Sequence, residues 1–207
     1  MLLVLLSSFV LISLSFISNY GNRVTKSKFL NILTTFSVSG YAIPGIILAV
    51  AFITFVSWFD NNVISFFGFE TVKSVFIGSV LGLILIYFIR FYSLASNGIK
   101  SGYLKINYSI DESAYLLGYS KFKTFTNIHI PYLKNSMLLV GVLIAIEIIK
   151  ELPITLIMRP FNFETFATTA YIFASQDLLE AAAAPSLFLI VIASFFILIT
   201  SRYILKD

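Results

Sequence analysis

Five long apolar runs set the strongest limit on how this chain can fold. Each run is close to the ~20 residues that an α-helix needs to cross the hydrocarbon core of a bilayer. The runs are residues 2–17, 41–59, 74–94, 133–152 and 185–203. With 58% hydrophobic and only 12% charged residues, the chain has too little polar surface to coat a soluble globule. The sequence therefore predicts an all-α, polytopic membrane helix bundle with about five transmembrane helices, organised as a single domain over residues 1–207.

The basic residues are concentrated on one side of this five-span arrangement. Of the 14 Lys and Arg residues, only Lys73, Lys150 and Arg159 fall elsewhere. Because Lys and Arg are enriched in cytoplasmic loops of membrane proteins, the basic side is predicted to be cytoplasmic. The basic residues on that side are Arg23, Lys26, Lys28, Arg90, Lys100, Lys105, Lys121, Lys123, Lys134, Arg202 and Lys206.

This orientation assigns a side to each connection. It places the polar segment, residues 109–131, in the cytoplasm and the loops 60–73 and 153–184 outside, the second as a periplasmic loop. An odd number of spans also places Met1 on the outer side. No basic residue precedes the first apolar run, which is therefore predicted to be a retained span rather than a signal peptide.

The polar segment is predicted to form two short helices that meet at an angle. Ser109 and Glu112 have the spacing of a capping box, so the first helix is expected to start near residue 110. Gly118 tolerates the left-handed geometry that ends a helix. Ser120 can cap a second helix, which is expected to end before Pro131 because the residue before a proline avoids helical geometry. Apolar residues give each helix a side that a partner or the membrane bundle could cover: Ala114, Leu117, Phe122, Phe125 and Ile128.

The polar segment also follows one ordered spacing. Glu112-Ser113-Ala114 is followed by three residues, Gly118, nine residues and Ile128-His129-Ile130-Pro131. This resembles the pattern EAA-x3-G-x9-I-x-L-P, with Ser for one Ala and Ile for Leu, of the cytoplasmic loop by which permease subunits of ABC importers engage their ATPase. The alternative is an ordinary basic cytosolic loop. The resemblance implies the type I importer permease fold and an ATPase-coupling role for Asp111, Glu112, Ser113, Ala114, Gly118, Ile128, Ile130 and Pro131.

The same resemblance implies a set of partners. These are a dimer of cytosolic ABC ATPase subunits, a periplasmic substrate-binding protein, and either a second permease half or a second copy of the chain, all at the lipid of the inner (plasma) membrane. ATP hydrolysis would belong to the partner, because the sequence has no Gly-rich phosphate loop followed by Lys and Ser or Thr. The chain itself is therefore expected not to be an enzyme and to have no catalytic residues.

A second informative stretch spans residues 147–168. Glu147, Lys150 and Glu151 have i, i+3 and i+4 spacing, so they would share one helix face and Lys150 could pair with either carboxylate. Charged residues in a membrane usually face the bundle interior or a water path. We therefore predict a translocation pathway that includes Glu147, Lys150, Glu151, Pro153 and Arg159. The alternative is a self-neutralised cluster that only anchors the helix. Beyond it, residues 165–175 are expected to form a short helix at the outer surface.

This stretch also carries a finer resemblance. It is similar to the KELP...LRPF.F.TLAT segment of permeases in the ferric-iron branch, and residues 41–45 are a weaker match. Ferric iron is therefore the expected substrate, with thiamine, polyamine and sulfate permeases as related alternatives. That branch often fuses two six-span halves, and this chain resembles most of one half without its first span, so it is expected to be incomplete at its N-terminus; a non-transporting fragment is the alternative. The matching residues are Lys150-Glu151-Leu152-Pro153, Arg159-Pro160-Phe161, Phe163 and Thr165-Phe166-Ala167-Thr168.

Composition excludes several other classes of function. The chain has no Cys, and its one His, His129, has no second ligand at helical spacing, so no metal site or cofactor is expected and His129 is predicted to be solvated or interfacial. Nucleic acid is not an expected partner, because the basic residues are spread over loops rather than gathered on one face. An intramembrane enzyme is the other alternative, and it is disfavoured because the Ser residues of the apolar runs have no evident base.

Overall fold

The computed structural model of the chain describes residues 1–25, 27–64 and 76–204. Some predictions lie outside these residues: the charges of Lys26, Lys73 and Lys206, the first two residues of the run 74–94, and most of the loop 60–73.

Ten α-helices account for most of the described residues. In chain order they are α1 (Leu2–Thr25), α2 (Lys28–Val38), α3 (Gly45–Phe59), α4 (Val80–Tyr103), α5 (Tyr108–Leu116), α6 (Lys121–Thr124), α7 (Ile130–Ile149), α8 (Pro153–Met158), α9 (Phe166–Ser175) and α10 (Leu179–Ile204). A 3₁₀ turn covers Ser39–Ala42, and π-helical segments cover Asp60–Ile64 and Phe125–His129. Since the described ranges contain no β-strand, the predicted all-α class is confirmed.

Five of the helical stretches are long and apolar enough to cross a membrane. They are Leu2–Thr25, Gly45–Asn62, Val80–Tyr103, Lys121–Ile149 and Leu179–Arg202. The predicted number of spans is therefore confirmed.

The outward faces of these helices are strongly apolar. On α1, Leu5 and Phe9 are exposed, and on α10 so are Leu187, Phe188 and Phe195. Exposed apolar surface on this scale is unfavourable in water but is what a helix presents to lipid.

Two spans extend further than the apolar runs predict. Helix α1 continues eight residues past position 17, and α4 continues nine residues past position 94. Small polar residues end the apolar run of α4, but Ser93 and Ser96 are buried within the bundle, so the helix does not have to stop there. Arg90, which was counted with the basic side, is the eleventh residue of α4 and lies within this span.

Helix α4 is the centre of the bundle and packs closely on α7. A methyl group on Gly98 would lie 2.4 Å from Cγ2 of Val140, and one on Gly102 would lie 2.9 Å from Cδ2 of Leu133. Small residues spaced four apart allow two helix backbones to approach in this way. The close contact fixes the end of α4 beside the start of α7, and the polar segment connects these two ends.

Candidate functional site

The first helix of the polar segment is capped by Asn107. The backbone N–H of Ser109 donates to Oδ1 of Asn107 at 3.2 Å, and α5 begins at Tyr108. The predicted capping box of Ser109 and Glu112 is therefore wrong by two residues. Asn is as good an N-cap as Ser, and Asn107 already has the extended backbone that a cap requires, so the helix starts before Ser109 is reached.

Gly118 ends α5 as predicted. Its φ is +81°, in the left-handed region that favours glycine. The N–H of Tyr119 donates to the carbonyl of Ala114 and the N–H of Gly118 to that of Tyr115, each at 3.0 Å, which is the Schellman arrangement. Ser120 then caps α6, as predicted, by accepting from the N–H of Lys123 at 3.2 Å.

The second helix does not end before Pro131, contrary to the prediction. It runs through α6 and the π-helical segment into α7, giving one continuous helix, Lys121–Ile149. A proline inside a regular helix would clash with the carbonyl four residues before it. The wider π-helical turns lie directly before Pro131, where π-bulges relieve such conflicts. The polar segment is therefore joined rigidly to a membrane span.

The turn between α5 and α6 carries exposed apolar side chains, which we call the apolar tip. Leu116, Leu117 and Phe122 are 89%, 78% and 74% exposed. In a structure whose polar segment is otherwise rich in charge, three large apolar side chains at one turn form a surface suited to a protein partner.

Asp111 lies at the centre of a buried charged group. Its Oδ2 accepts from Nε of Arg23 at 2.7 Å, and its Oδ1 lies 2.6 Å from Nε2 of His129. An ionised carboxylate can only accept, so the Nε2 atom carries the proton of this bond. Asp111 is only 7% exposed. We call these three residues the Asp111 cluster; it joins α1, α5 and the π-helical segment.

Arg23 also binds the carbonyls that follow α4. Its Nη2 donates to the carbonyls of Ile106 at 3.0 Å and Asn107 at 3.1 Å. Its guanidinium lies 4.2 Å from the ring centroid of Tyr108, a cation–π contact. A single side chain from α1 therefore fixes both the link from α4 to α5 and the first turn of α5.

Aromatic packing buries His129. The ring centroids of Tyr20 and Tyr103 lie 5.1 and 5.4 Å from that of His129, and His129 is fully buried. The Tyr20 hydroxyl donates to the carbonyl of Lys121 at 2.6 Å. The predicted solvated or interfacial position of His129 is wrong, because α1 extends far enough to cover it.

The eight predicted coupling residues divide by exposure. Asp111 and Ala114 are buried and face the bundle, and Ile128 is half-buried. The exposed residues are Glu112, Ser113, Gly118, Ile130 and Pro131. The structure thus separates residues that hold the segment in place from residues that a partner could reach.

The predicted pathway residues do not form one group. Helix α7 ends at Ile149, so Glu151 does not share a helix face with Glu147 and Lys150. Lys150 pairs with Glu147 at 2.7 Å and is largely exposed. Glu151 is buried and points elsewhere, so the prediction that Lys150 serves either carboxylate is wrong in this structure.

Glu151 lies in a second polar site inside the bundle. Its Oε1 accepts from the N–H of Ile154 at 3.2 Å, next to Pro153 in the first turn of α8. Its Oε2 lies 4.0 Å from Nε of Arg90. A methyl group on Gly45 would lie 3.1 Å from Oε1, so a side chain at this position would require the carboxylate to shift by a few tenths of an ångström. We call Glu151, Arg90 and Gly45 the Glu151 site.

Arg90 connects this site to the turn before α3. Its Nη1 donates to the carbonyl of Ile43, and its guanidinium lies 5.8 Å from the ring centroid of Tyr41. The segment 41–45 and the segment after α7, which are distant in sequence, therefore meet around one arginine. Nearby, the hydroxyls of Tyr87 and Thr155 are 2.5 Å apart, and Thr155 donates to the carbonyl of Glu151 at 2.8 Å.

Arg159 lies apart from the Glu151 site. It forms an ion pair with Glu164 and donates to the carbonyl of Phe163 at 3.3 Å. These contacts close the turn before α9, which begins at Phe166 with Thr165 as its cap. The predicted short helix over residues 165–175 is confirmed, whereas its position at an outer surface stays a prediction.

Several residues of these two sites do not stand out in the sequence. Arg23, Tyr20 and Tyr103 have no local pattern that links them to residue 111. Arg90 carries a usable signal, because an arginine among apolar residues is costly in a membrane and usually functional. Among the described residues, no group of three or more His, Asp or Glu is placed to hold a metal ion.

Comparisons with known proteins identify the fold. No family model matches the chain, and no curated protein sequence matches it. Among solved structures, it is similar to a chain in the crystal structure of a bacterial ABC transporter involved in the import of the acidic polysaccharide alginate, with a TM-score of 0.67. The likeness covers 97% of this chain and 79% of that chain, at 19% sequence identity. The two chains therefore share a fold.

Proposed function

We propose that this chain is the transmembrane permease component of an ABC importer of the inner (plasma) membrane. The observation that carries the proposal is the apolar tip, an exposed surface on a rigid turn that the Asp111 cluster ties to the membrane helices. The shared fold and the ordered spacing of the polar segment support it. In this proposal the polar segment is cytoplasmic and its partner is a dimer of ATPase subunits.

The geometry suggests how ATP hydrolysis in the partner would move the bundle. A displacement of the apolar tip acts directly on α7, because α6, the π-helical segment and α7 are one helix. The Asp111 cluster passes the same displacement to α1, and Arg23 passes it to the end of α4. Three spans would then rotate as a unit, which is how alternating access operates in importers built from rigid helices.

The proposed cargo is ferric iron delivered by a periplasmic substrate-binding protein. The similarity of residues 150–168 to the ferric-iron branch supports this. Thiamine, polyamine and sulfate are the alternative substrates. The pathway would use the five residues predicted from the sequence, Glu147, Lys150, Glu151, Pro153 and Arg159, and would be completed by a second permease half or a second copy of the chain.

Co-purification tests the ATPase partnership. The full chain is extracted from its native membrane in mild detergent, and associated ATPase subunits are identified by mass spectrometry. A Leu117→Ser/Phe122→Ser variant, which makes the apolar tip polar, is expected to lose the ATPase. Phe161→Ser is the matched control, because Phe161 is even more exposed, at 93%, but lies in the turn before α9. Retention of the ATPase by the tip variant, or its absence from the unmodified chain, would contradict the proposal.

Uptake measurements test the cargo. Cells that contain the intact system are supplied with radiolabelled iron(III), thiamine, a polyamine or sulfate, each with and without the chain. Dependence of iron uptake alone on the chain is expected. Dependence of another substrate would keep the permease role and reject iron.

A further inference from the structure

A polar cavity of about 730 Å³ lies beside the Asp111 cluster, and Arg23 is one of its lining residues. Its walls come from α1, α2, the last turns of α4, and the link from α4 to α5. The lining is dominated by amides, hydroxyls and basic residues: Asn19, Asn22, Asn31, Thr34, Thr35 and Ser96, with Lys100 in the last turn of α4 and Lys105 in the link. A volume of this size is typical of small-molecule sites.

The charge of this cavity is positive and unbalanced. The guanidinium of Arg23 is neutralised by Asp111, but neither Lys100 nor Lys105 forms an ion pair with any described residue. Of the described residues that line the cavity, none carries a carboxylate. In addition, Oδ1 of Asn22 is buried and has no hydrogen-bond partner within the described chain. The two free ammonium groups are suited to an anionic ligand, and the unpaired carbonyl oxygen of Asn22 can accept a hydrogen bond from a hydroxyl group of that ligand.

Helix α2 gives the cavity a lipid-facing wall. Its apolar residues are exposed on one face, and its polar residues line the cavity from the opposite face, with helical spacing on both sides. The exposed residues are Phe29, Ile32, Leu33 and Phe36, and the lining residues are Asn31, Thr34 and Thr35. A helix with this division is suited to a membrane interface, where its apolar face would point toward the acyl chains.

From these observations we propose that the cavity binds the phosphate-bearing headgroup of an anionic glycerophospholipid. The site lies at the end of the bundle that the basic residues predict to be cytoplasmic, where basic pockets between membrane helices recognise such headgroups. Lys100 and Lys105 pair with the phosphate, and the Asn and Thr side chains hydrogen-bond to the headgroup. The acyl chains leave past α2 into the bilayer. This site is separate from the surface proposed to meet the ATPase.

Lipid retention by the purified full chain tests the proposal. The protein in neutral detergent is supplied with phosphatidylglycerol or phosphatidylcholine, and bound lipid is counted by native mass spectrometry. Phosphatidylglycerol is expected to bind preferentially, and Lys100→Gln/Lys105→Gln to weaken its binding by about tenfold. The matched control is Lys123→Gln/Lys134→Gln, which removes two exposed lysines that do not line the cavity and is expected to bind as the unmodified chain does.

Two further arms separate the cavity from other sources of binding. Asn31→Phe keeps both lysines but replaces a polar wall residue with a ring, and is expected to reduce phosphatidylglycerol binding while leaving the thermal unfolding midpoint unchanged. Inorganic phosphate at millimolar concentration is expected not to displace the lipid. Equal binding of both lipids, equal losses in the two lysine double variants, or displacement by inorganic phosphate would each overturn the lipid assignment.

Discussion

Asp111 and Glu151 are buried to nearly the same extent, 7% and 8% exposed, yet they are held very differently. Asp111 has close partners on both oxygens, with Arg23 at 2.7 Å and His129 at 2.6 Å. Glu151 has one backbone N–H at 3.2 Å and a guanidinium at 4.0 Å. Coulomb attraction and hydrogen bonding both weaken as these distances increase. The carboxylate of Asp111 is therefore fixed in place, whereas that of Glu151 is free to exchange partners.

The difference matches the positions of the two groups in the bundle. The Asp111 cluster joins α1, α5 and the π-helical segment before α7, where a rigid link is needed if the polar segment moves the spans. The Glu151 site lies far away, since Arg90 is thirteen residues along α4 from its end at Tyr103, or about 20 Å at the rise of an α-helix. A loosely paired charge inside a membrane is suited to a site that opens, and under the proposed permease function the Glu151 site would change its contacts during transport.

The largest expected effect comes from breaking the Asp111 cluster. Arg23→Gln leaves Asp111 buried without its cationic partner, and removing one member of a buried pair destabilises by about 3–5 kcal/mol. Thermal unfolding in detergent measures the loss. The double variant Arg23→Gln/Asp111→Asn is expected to recover part of it, because the unpaired charge is gone. A loss below about 1 kcal/mol in the single variant would show that the cluster is not a tight link.

A smaller effect is expected at the Glu151 site. Glu151→Gln keeps an acceptor for the N–H of Ile154 and leaves Arg90 bound to the carbonyl of Ile43, so we expect a loss of about 1–2 kcal/mol in the same assay. Uptake of the substrate is also expected to fall, and by a larger factor than this modest loss of stability would cause. If Glu151→Gln destabilised as much as Arg23→Gln, the contrast between the two sites would be wrong.

Two tyrosine hydroxyls refine the contrast. Tyr20→Phe removes the hydrogen bond that the Tyr20 hydroxyl donates to the carbonyl of Lys121. The protein is expected to lose about 1 kcal/mol of stability. Tyr87→Phe should have a smaller effect, because Thr155 still donates to the carbonyl of Glu151. Both variants keep the ring, so packing is controlled. A lower unfolding midpoint for Tyr87→Phe than for Tyr20→Phe would count against a rigid polar segment.

The smallest effect is expected at the pair of Glu147 and Lys150. Lys150 is largely exposed, and exposed ion pairs contribute little, so Glu147→Gln should change stability by less than about 0.5 kcal/mol. Lys150→Met removes the other member of the same ion pair and should change stability by a similarly small amount. A large loss of uptake with unchanged stability would support Glu147 as a pathway residue, and unchanged uptake would favour the anchoring alternative.

The sequence predicts the periodic features of this molecule well. Span number, the glycine at the end of α5, the Ser120 cap and the short helix α9 all follow from local patterns. Helix ends are less well predicted, because α1 and α4 continue through polar residues that other helices bury. The Asp111 cluster could not be predicted, since Arg23 is 88 residues from Asp111 along the chain and only the packing of α1 on α4 brings them together.

Pro131 and His129 show the same limit in detail. A proline is a reliable sign of a helix end in most sequences, but a π-helical segment before it allows the helix to continue. A lone histidine in a polar segment is usually exposed, but here the rings of Tyr20 and Tyr103 and the carboxylate of Asp111 surround it. In both cases tertiary structure outweighs the local preference.

Coupling through the turn at Gly118 is the central claim, and substrate-stimulated ATP hydrolysis measures it most directly. Gly118→Leu places a branched side chain at a φ of +81°, where it is strained, and should tilt the apolar tip without disturbing the spans. Gly78→Leu is the matched control, since Gly78 has a φ of +66° and, like Gly118, open space around it. With the ATPase and the binding protein reconstituted in vesicles, we predict that Gly118→Leu remains in the membrane but loses stimulation, whereas Gly78→Leu retains it. Normal stimulation in Gly118→Leu would contradict the claim.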